Sequence, residues 1–168
     1  IRGGGNLVGD AQSGHIKNIG YSLYLRLLEE AIATVSGEGD VEEKSVEIKL
    51  AVTAMISSEL VSEDRLRLEL YRRFGQCKSV AAVYAIEEEI IDRFGALDES
   101  TKNYISLMVI KILALQHHIK GISSYGVMVT LSYEDGRTHT LSAPSKDDDD
   151  IISTALSYIR EQEKKGNK

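Results

Sequence analysis

Apolar residues spaced three and four apart predict four helices between residues 21 and 117. The first runs from Tyr21 to Val35 and ends at Ser36-Gly37, and the second begins near Glu63. Ser79 can cap the third helix, which stops at Gly95, and the fourth spans about 100–117. The apolar stripes of the four helices are Tyr21, Leu25, Leu28, Ile32 and Val35; Leu66, Leu70 and Phe74; Val80, Val83, Ile86, Ile90 and Phe94; and Tyr104, Met108, Ile112 and Leu115.

Alternating apolar and polar residues predict short strands before and after these helices. Residues 46–50 alternate in this way, and the strand could extend through Val52. Residues 127–131 and 138–141 flank an Asp135-Gly136 pair, which is a strong signal for a β-hairpin. The acidic run 147–150 precedes a last amphipathic helix, whose tail, residues 163–168, we expect to fray. Helices between strands indicate an α+β fold rather than a regular βαβ alternation.

The glycine-rich first twenty residues and the acidic stretch 36–44 divide the chain. Neither segment has the apolar pattern of a core, and residues 36–44 read as an exposed linker. We therefore expect an N-terminal helical extension at residues 1–44. Residues 45–168 should form a compact domain of central helices with short, mainly antiparallel strands.

Charge and composition narrow the possible partners. The chain of 168 residues has a net charge of −6 and a pI of about 5.3, which disfavours an independent nucleic-acid binder and favours a protein partner. No apolar run approaches the ~20 residues of a membrane span, so we expect no membrane partner. The single cysteine, Cys77, cannot form an internal disulfide, and we expect it to be a packing residue in a cytoplasmic protein.

Three candidate ligand sites are disfavoured by their sequence context. Gly3-Gly4-Gly5 lacks the Gly-Lys-Ser/Thr ending of a phosphate loop. The run 147–150 lacks the spaced ligands of a calcium loop, so it reads as a solvated helix start. The histidines are too scattered to form a metal site by themselves. They are His15, His117, His118 and His139.

Two charged clusters lie on the predicted helices. An arginine cluster between Arg65 and Arg73 could contact nucleic acid, but the acids interleaved with it favour a salt-bridged exposed face. Glu89 and Asp92, three residues apart, share a face turned away from the apolar stripe of their helix. Such acids repel each other and gain from a basic partner, although an acidic face is more often simply solvated.

Two blocks of sequence resemble the transcription-repair coupling factor (Mfd) family. The segment 1–31, beginning IRGGGNLVGDAQSGHI, is similar to the end of the family's motor, a translocation motif shared with the branch-migration helicase RecG. The segments 66–73, ending Leu-Tyr-Arg-Arg, and 89–95 resemble the family's C-terminal domain. The similarity continues without gaps to about Gly121, and the later hairpin and helix rest on pattern alone.

The resemblance implies a regulatory domain of an ATP-driven translocase on double-stranded DNA, which displaces stalled RNA polymerase and recruits UvrA in nucleotide excision repair. In this family the C-terminal domain clamps onto the N-terminal UvrA-binding region, and the acids matching Glu89 and Asp92 make that clamp. Arg2 and Gln12 match residues of the translocation motif. The resemblance also implies prolines where this chain has Thr53, Ser57 and Ser62, which affects the loop there.

The resemblance also implies that the enzymatic activity lies outside this chain. ATP and magnesium belong to the motor of the parent protein, and this chain has no Walker A sequence, so we expect neither a cofactor nor enzymatic activity in it. A stand-alone nucleic-acid-binding module using the arginine cluster is the first alternative. A structural spacer that only folds against the motor is the second.

Overall fold

The computed structural model of the protein describes residues 45–166. The predicted helix at residues 21–35, the linker at 36–44 and the translocation-motif residues Arg2 and Gln12 lie outside the described residues. The predicted division at residue 44 also remains a prediction.

Four helices form within the described residues, close to the positions that the sequence predicts. They are α1 (Asp64–Gly75), α2 (Val80–Phe94), α3 (Glu99–Gln116) and α4 (Asp148–Gly166). The Ser79 side chain accepts a hydrogen bond from the Ala82 N–H at 3.1 Å, which confirms the cap of α2. The prediction that residues 163–168 fray is wrong as far as Gly166. Lys164 and Lys165 lie in the last turn of α4, where positive charge is favoured by the helix dipole.

In the part of the chain that the structure describes, four strands form one mixed sheet in the order β1-β2-β3-β4. They are β1 (Glu47–Lys49), β2 (Ile119–Tyr125), β3 (Met128–Tyr133) and β4 (Thr138–Ser142). β1 pairs with β2 in parallel, and the other two pairings are antiparallel, so the α+β prediction and the hairpin are both confirmed. β2 was not predicted, and β1 is shorter than predicted. It ends early because the Val52 N–H donates to the Leu50 carbonyl at 2.9 Å and turns the chain.

The core lies between the helices and one face of the sheet. Its largest fully buried side chains include Ile90, Ile110, Ile122, Leu131 and Ile159. The predicted stripe on α3 is wrong at its C-terminal end, where Leu115 is 40 % exposed. α3 packs against α2, α4 and β2 at once, so it buries a wider arc than a single stripe. No helix among residues 45–166 is long and apolar enough to cross a membrane.

The loop between β1 and α1 is fixed by hydrogen bonds to the helices. The Ile56 N–H donates to the Tyr71 hydroxyl at 2.8 Å in the buried interior. The Thr53 N–H donates to Asp148 Oδ2 at 3.0 Å, and Asn103 Nδ2 donates to the Thr53 carbonyl at 2.9 Å. The interpretation of the acidic run as a solvated helix start is therefore wrong for Asp148, because this carboxylate anchors the loop onto the start of α4.

Candidate protein-interaction surface

The outward side of α2 is acidic. The helix carries Glu87, Glu88, Glu89 and Asp92 against one basic residue, Arg93. Its buried residues are Val83, Ile86 and Ile90, which face the core, so the carboxylates lie on the solvent side. We call residues 88, 89 and 92 the acidic face. Glu88 and Asp92 are exposed, one helical turn apart, so their charges reinforce each other.

Glu89 already has two basic partners within the domain. Arg73 of α1 donates to both its carboxylate oxygens, with Nη1–Oε2 and Nη2–Oε1 distances of 2.7 Å each. Arg93, one turn further along α2, adds an Nη1–Oε2 contact of 3.1 Å. Such a two-pronged pair fixes both side chains and ties α1 to α2.

These contacts hold Glu89 in its charged form. The hydrogen bonds from Arg73 lower the pKa of Glu89 to about 2; burial opposes this shift, and Arg93 adds to it. The same contact raises the pKa of the Arg73 guanidinium above its ordinary value. Glu89 therefore stays ionised at every physiological pH, with 34 % of its side chain exposed.

The structure separates the roles of the two predicted site residues. It places both Glu89 and Asp92 away from the core, but only Glu89 is paired. Asp92 is exposed, and its carboxylate makes no hydrogen bond or ion pair with any other of residues 45–166. The four-residue spacing of Glu89 and Arg93 on one helix indicates one partner of Glu89. The other partner, Arg73, is sixteen residues away in sequence and comes close to Glu89 only because α1 packs on α2.

A groove lined by both apolar and polar residues borders the acidic face. Tyr84 and Ile91 on α2 are 38 % and 44 % exposed, and they line a groove of about 640 Å³ between α2, α3 and α4. Arg160 of α4 donates to the Tyr84 hydroxyl at 3.0 Å and holds that ring at the rim. Exposed apolar side chains next to carboxylates suit a partner surface that combines basic and apolar groups.

The arginine cluster is largely neutralised by neighbouring acids. Arg67 pairs with Asp64 and also donates to the Val61 carbonyl at 2.8 Å. Arg72 pairs with Glu69, whose pKa the hydrogen bond from Arg72 lowers, and Arg73 pairs with Glu89. These pairings favour the salt-bridged interpretation of the cluster over phosphate contacts.

The histidines and Cys77 are the remaining candidates for a metal site or a reactive thiol. His118 Nδ1 lies 3.7 Å from Glu134, and no group of three or more His, Cys, Asp or Glu side chains suited to a metal occurs in the part of the chain that the structure describes. The Cys77 thiol donates to the Arg73 carbonyl at 3.4 Å, and burial raises its pKa. A thiol of this kind is a poor nucleophile at neutral pH, as expected for a packing residue.

Known proteins are similar to this chain in sequence and in fold. A family model described as the TRCF domain matches residues 50–143. A transcription-repair-coupling factor of Helicobacter pylori is 50 % identical over 162 residues, covering 96 % of this chain and 16 % of the relative. One of Rickettsia typhi is 37 % identical over 126 residues, covering 74 % of this chain and 11 % of the relative. The chain thus spans only a small part of the relatives it matches.

A solved structure shares the fold. A crystal structure of the C-terminal domain of transcription-repair coupling factor superposes with a TM-score of 0.57 at 15 % identity. The match covers 71 % of this chain and 98 % of that one, so the arrangement of helices and sheet is common to both.

Proposed function

Since the chain belongs to the TRCF domain family, we propose that it is the C-terminal regulatory part of a transcription-repair coupling factor and acts by contacting another part of the same protein. The observation that carries this proposal is the acidic face of α2, where exposed carboxylates adjoin exposed apolar side chains. Such a surface favours binding to a protein and disfavours binding to phosphate groups, and the net charge of −6 also favours a protein partner.

The contact we propose is a clamp on the N-terminal UvrA-binding region of the same protein. The clamp would cover the UvrA-binding surface until the motor engages DNA. Asp92 and Glu88 offer exposed charges to basic residues of that region. Glu89 contributes differently, because its bonds to Arg73 and Arg93 fix the middle of the face and hold α2 in place against α1.

The parent protein is proposed to carry the chemistry. ATP and magnesium would act in its motor on double-stranded DNA, with RNA polymerase and UvrA as protein partners, and this domain would regulate without catalysing. Arg2 and Gln12 would belong to the translocation motif that couples ATP hydrolysis to movement. All of these parts would lie in the bacterial cytoplasm.

A titration of this chain with the separately expressed N-terminal region tests the clamp. Replacing Asp92 with alanine should weaken binding about fivefold or more, since a charge pair at a partly desolvated interface couples by about 1 kcal/mol or more. Glu161→Ala is a matched control, because Glu161 is also an exposed helical acid without a partner among residues 45–166. Equal affinities for the Asp92 and Glu161 variants would exclude the acidic face as the contact.

The switch itself is tested in the full-length protein. Replacing Glu89 and Asp92 together with alanine should raise binding of UvrA, because opening the clamp uncovers its surface. Thermal unfolding of the same variant shows whether the domain is still folded. If the folded variant binds UvrA no better than the wild type, the masking role is refuted.

A further inference from the structure

A second cavity lies on the side of the domain formed by the sheet and the end of α4. Its volume is about 570 Å³, and it is open to solvent. His117 follows α3, Arg137 and His139 come from the turn and strand of the β3–β4 hairpin, and Lys165 comes from the last turn of α4. Three segments distant in sequence thus bring basic side chains to one cavity.

Of these four basic groups, only Arg137 has an acidic partner within residues 45–166. No carboxylate is among the residues that line it, in a protein whose net charge is −6. The side chains of His117 and Lys165 make no hydrogen bond or ion pair with other residues of the range 45–166. Arg137 Nε donates to Asp135 at 2.7 Å, which orients the guanidinium, while its two terminal nitrogens stay available.

Aromatic rings also line the cavity. The hydroxyl oxygens of Tyr133 and Tyr158 lie 3.0 Å apart, His139 stacks on Tyr158 at 4.6 Å, and the Arg137 guanidinium lies 4.7 Å from the Tyr133 ring centre. Burial and the bond to Tyr158 raise the pKa of Tyr133 to about 12, so its hydroxyl stays neutral and does not repel an anion.

We propose that this cavity binds a phosphate group. An arginine fork, an ammonium group and two imidazoles offer several donors around one centre, and a tetrahedral oxyanion with several acceptor oxygens satisfies such a set better than a single carboxylate. The phosphate can come from a small phosphorylated molecule or from the backbone of a single-stranded nucleic acid lying across the rings. This site is separate from the acidic face of α2 and does not depend on the clamp.

Imidazole resonances in proton NMR test the proposal in the intact chain. Inorganic phosphate should shift the resonances of His117 and His139 with a saturable dependence on concentration. His118, which faces Glu134, should stay in place. The variant Arg137→Gln/Lys165→Gln should bind phosphate at least tenfold more weakly. Arg65→Gln/Lys102→Gln removes the same charge outside the cavity and should bind as the wild type does.

A second titration, with a short oligodeoxynucleotide, identifies the source of the phosphate. Tighter binding of the oligonucleotide assigns the cavity to a nucleic-acid backbone, and tighter binding of inorganic phosphate assigns it to a small ligand; either supports the site. The single variant Lys165→Gln, at the exposed end of α4, provides the test if the double variant unfolds. Shifts that do not saturate, that affect all four histidines alike, or that the control pair weakens equally overturn the proposal.

Discussion

Replacing Glu89 with glutamine removes the charge at the centre of the contact between α1 and α2. The side chain keeps its size, but the two 2.7 Å contacts with Arg73 and the 3.1 Å contact with Arg93 lose their ionic character. A surface ion pair contributes about 0.2–1 kcal/mol, and the two-pronged geometry places this one at the upper end. A third of the side chain is exposed, so solvent screening limits the total, with Arg93 included, to about 1 kcal/mol.

The loss should depend on pH in a defined direction. The pKa of Glu89 is about 2 in the folded protein, below its ordinary value of 4.5, so the carboxylate stabilises the fold above pH 4.5. This contribution is lost as the pH falls from 4.5 through 2, where the folded protein also takes up the proton. The difference in the free energy of unfolding between wild type and Glu89→Gln should therefore be largest near pH 7 and should shrink at low pH.

Urea unfolding at pH 7 and pH 3 measures this difference. In a thermal unfolding experiment, the same loss of about 1 kcal/mol would lower the midpoint temperature by roughly 3–5 °C for a domain of this size. Glu88→Gln is the matched control, because it removes the same charge at the neighbouring position. The Glu88 side chain is exposed and has no ion pair among residues 45–166. A difference that is the same at both pH values, or no larger than that of Glu88→Gln, would refute the assigned role of Glu89.

Three further substitutions test the interior and the hairpin by urea unfolding at neutral pH. Tyr71→Phe should cost about 1–3 kcal/mol, because the buried Ile56 N–H then loses its only acceptor given by the structure, and a cost below 0.5 kcal/mol would contradict this. Asn103→Ala should cost a similar amount, because it removes the donor to the loop between β1 and α1; the exposed neighbour Lys102→Ala should be almost neutral. Gly136→Ala should cost about 1 kcal/mol from its φ of +96° alone, since a Cβ there meets no atom within 4 Å. Gly75→Ala, equally open but helical, should stabilise slightly.

Sequence patterns were sufficient for the helices because each carries its own local signals. Ser79 caps α2, Gly95 ends it, and its apolar stripe is regular, so neither boundary depends on distant residues. The β3–β4 hairpin was equally readable from Asp135-Gly136, where Gly136 supplies the positive φ that the turn requires. These features needed no knowledge of the tertiary structure.

Strand β2 could not be predicted because its extended conformation is stabilised by the neighbouring strands. Its sequence, IKGISSY, contains a glycine and two serines and has little intrinsic preference for a strand. It forms because β1 and β3 pair with it on both sides. The partner of Glu89 escaped prediction for the same reason, since Arg73 is near only after α1 and α2 have packed. Asp148 likewise reads as a surface acid until the loop carrying Thr53 reaches it.

The parallel pairing of β1 with β2 has a consequence for the order of folding events. Its paired residues, such as Ile48 and Ile122, are more than seventy residues apart, and three helices lie between them. The short β3–β4 turn closes a loop of a few residues, whereas this pairing costs about 2 kcal/mol more in chain entropy. The β3–β4 hairpin can therefore form early. β1 should join after the helices have packed, so substitutions at Ile48 should speed unfolding while leaving the rate of folding nearly unchanged.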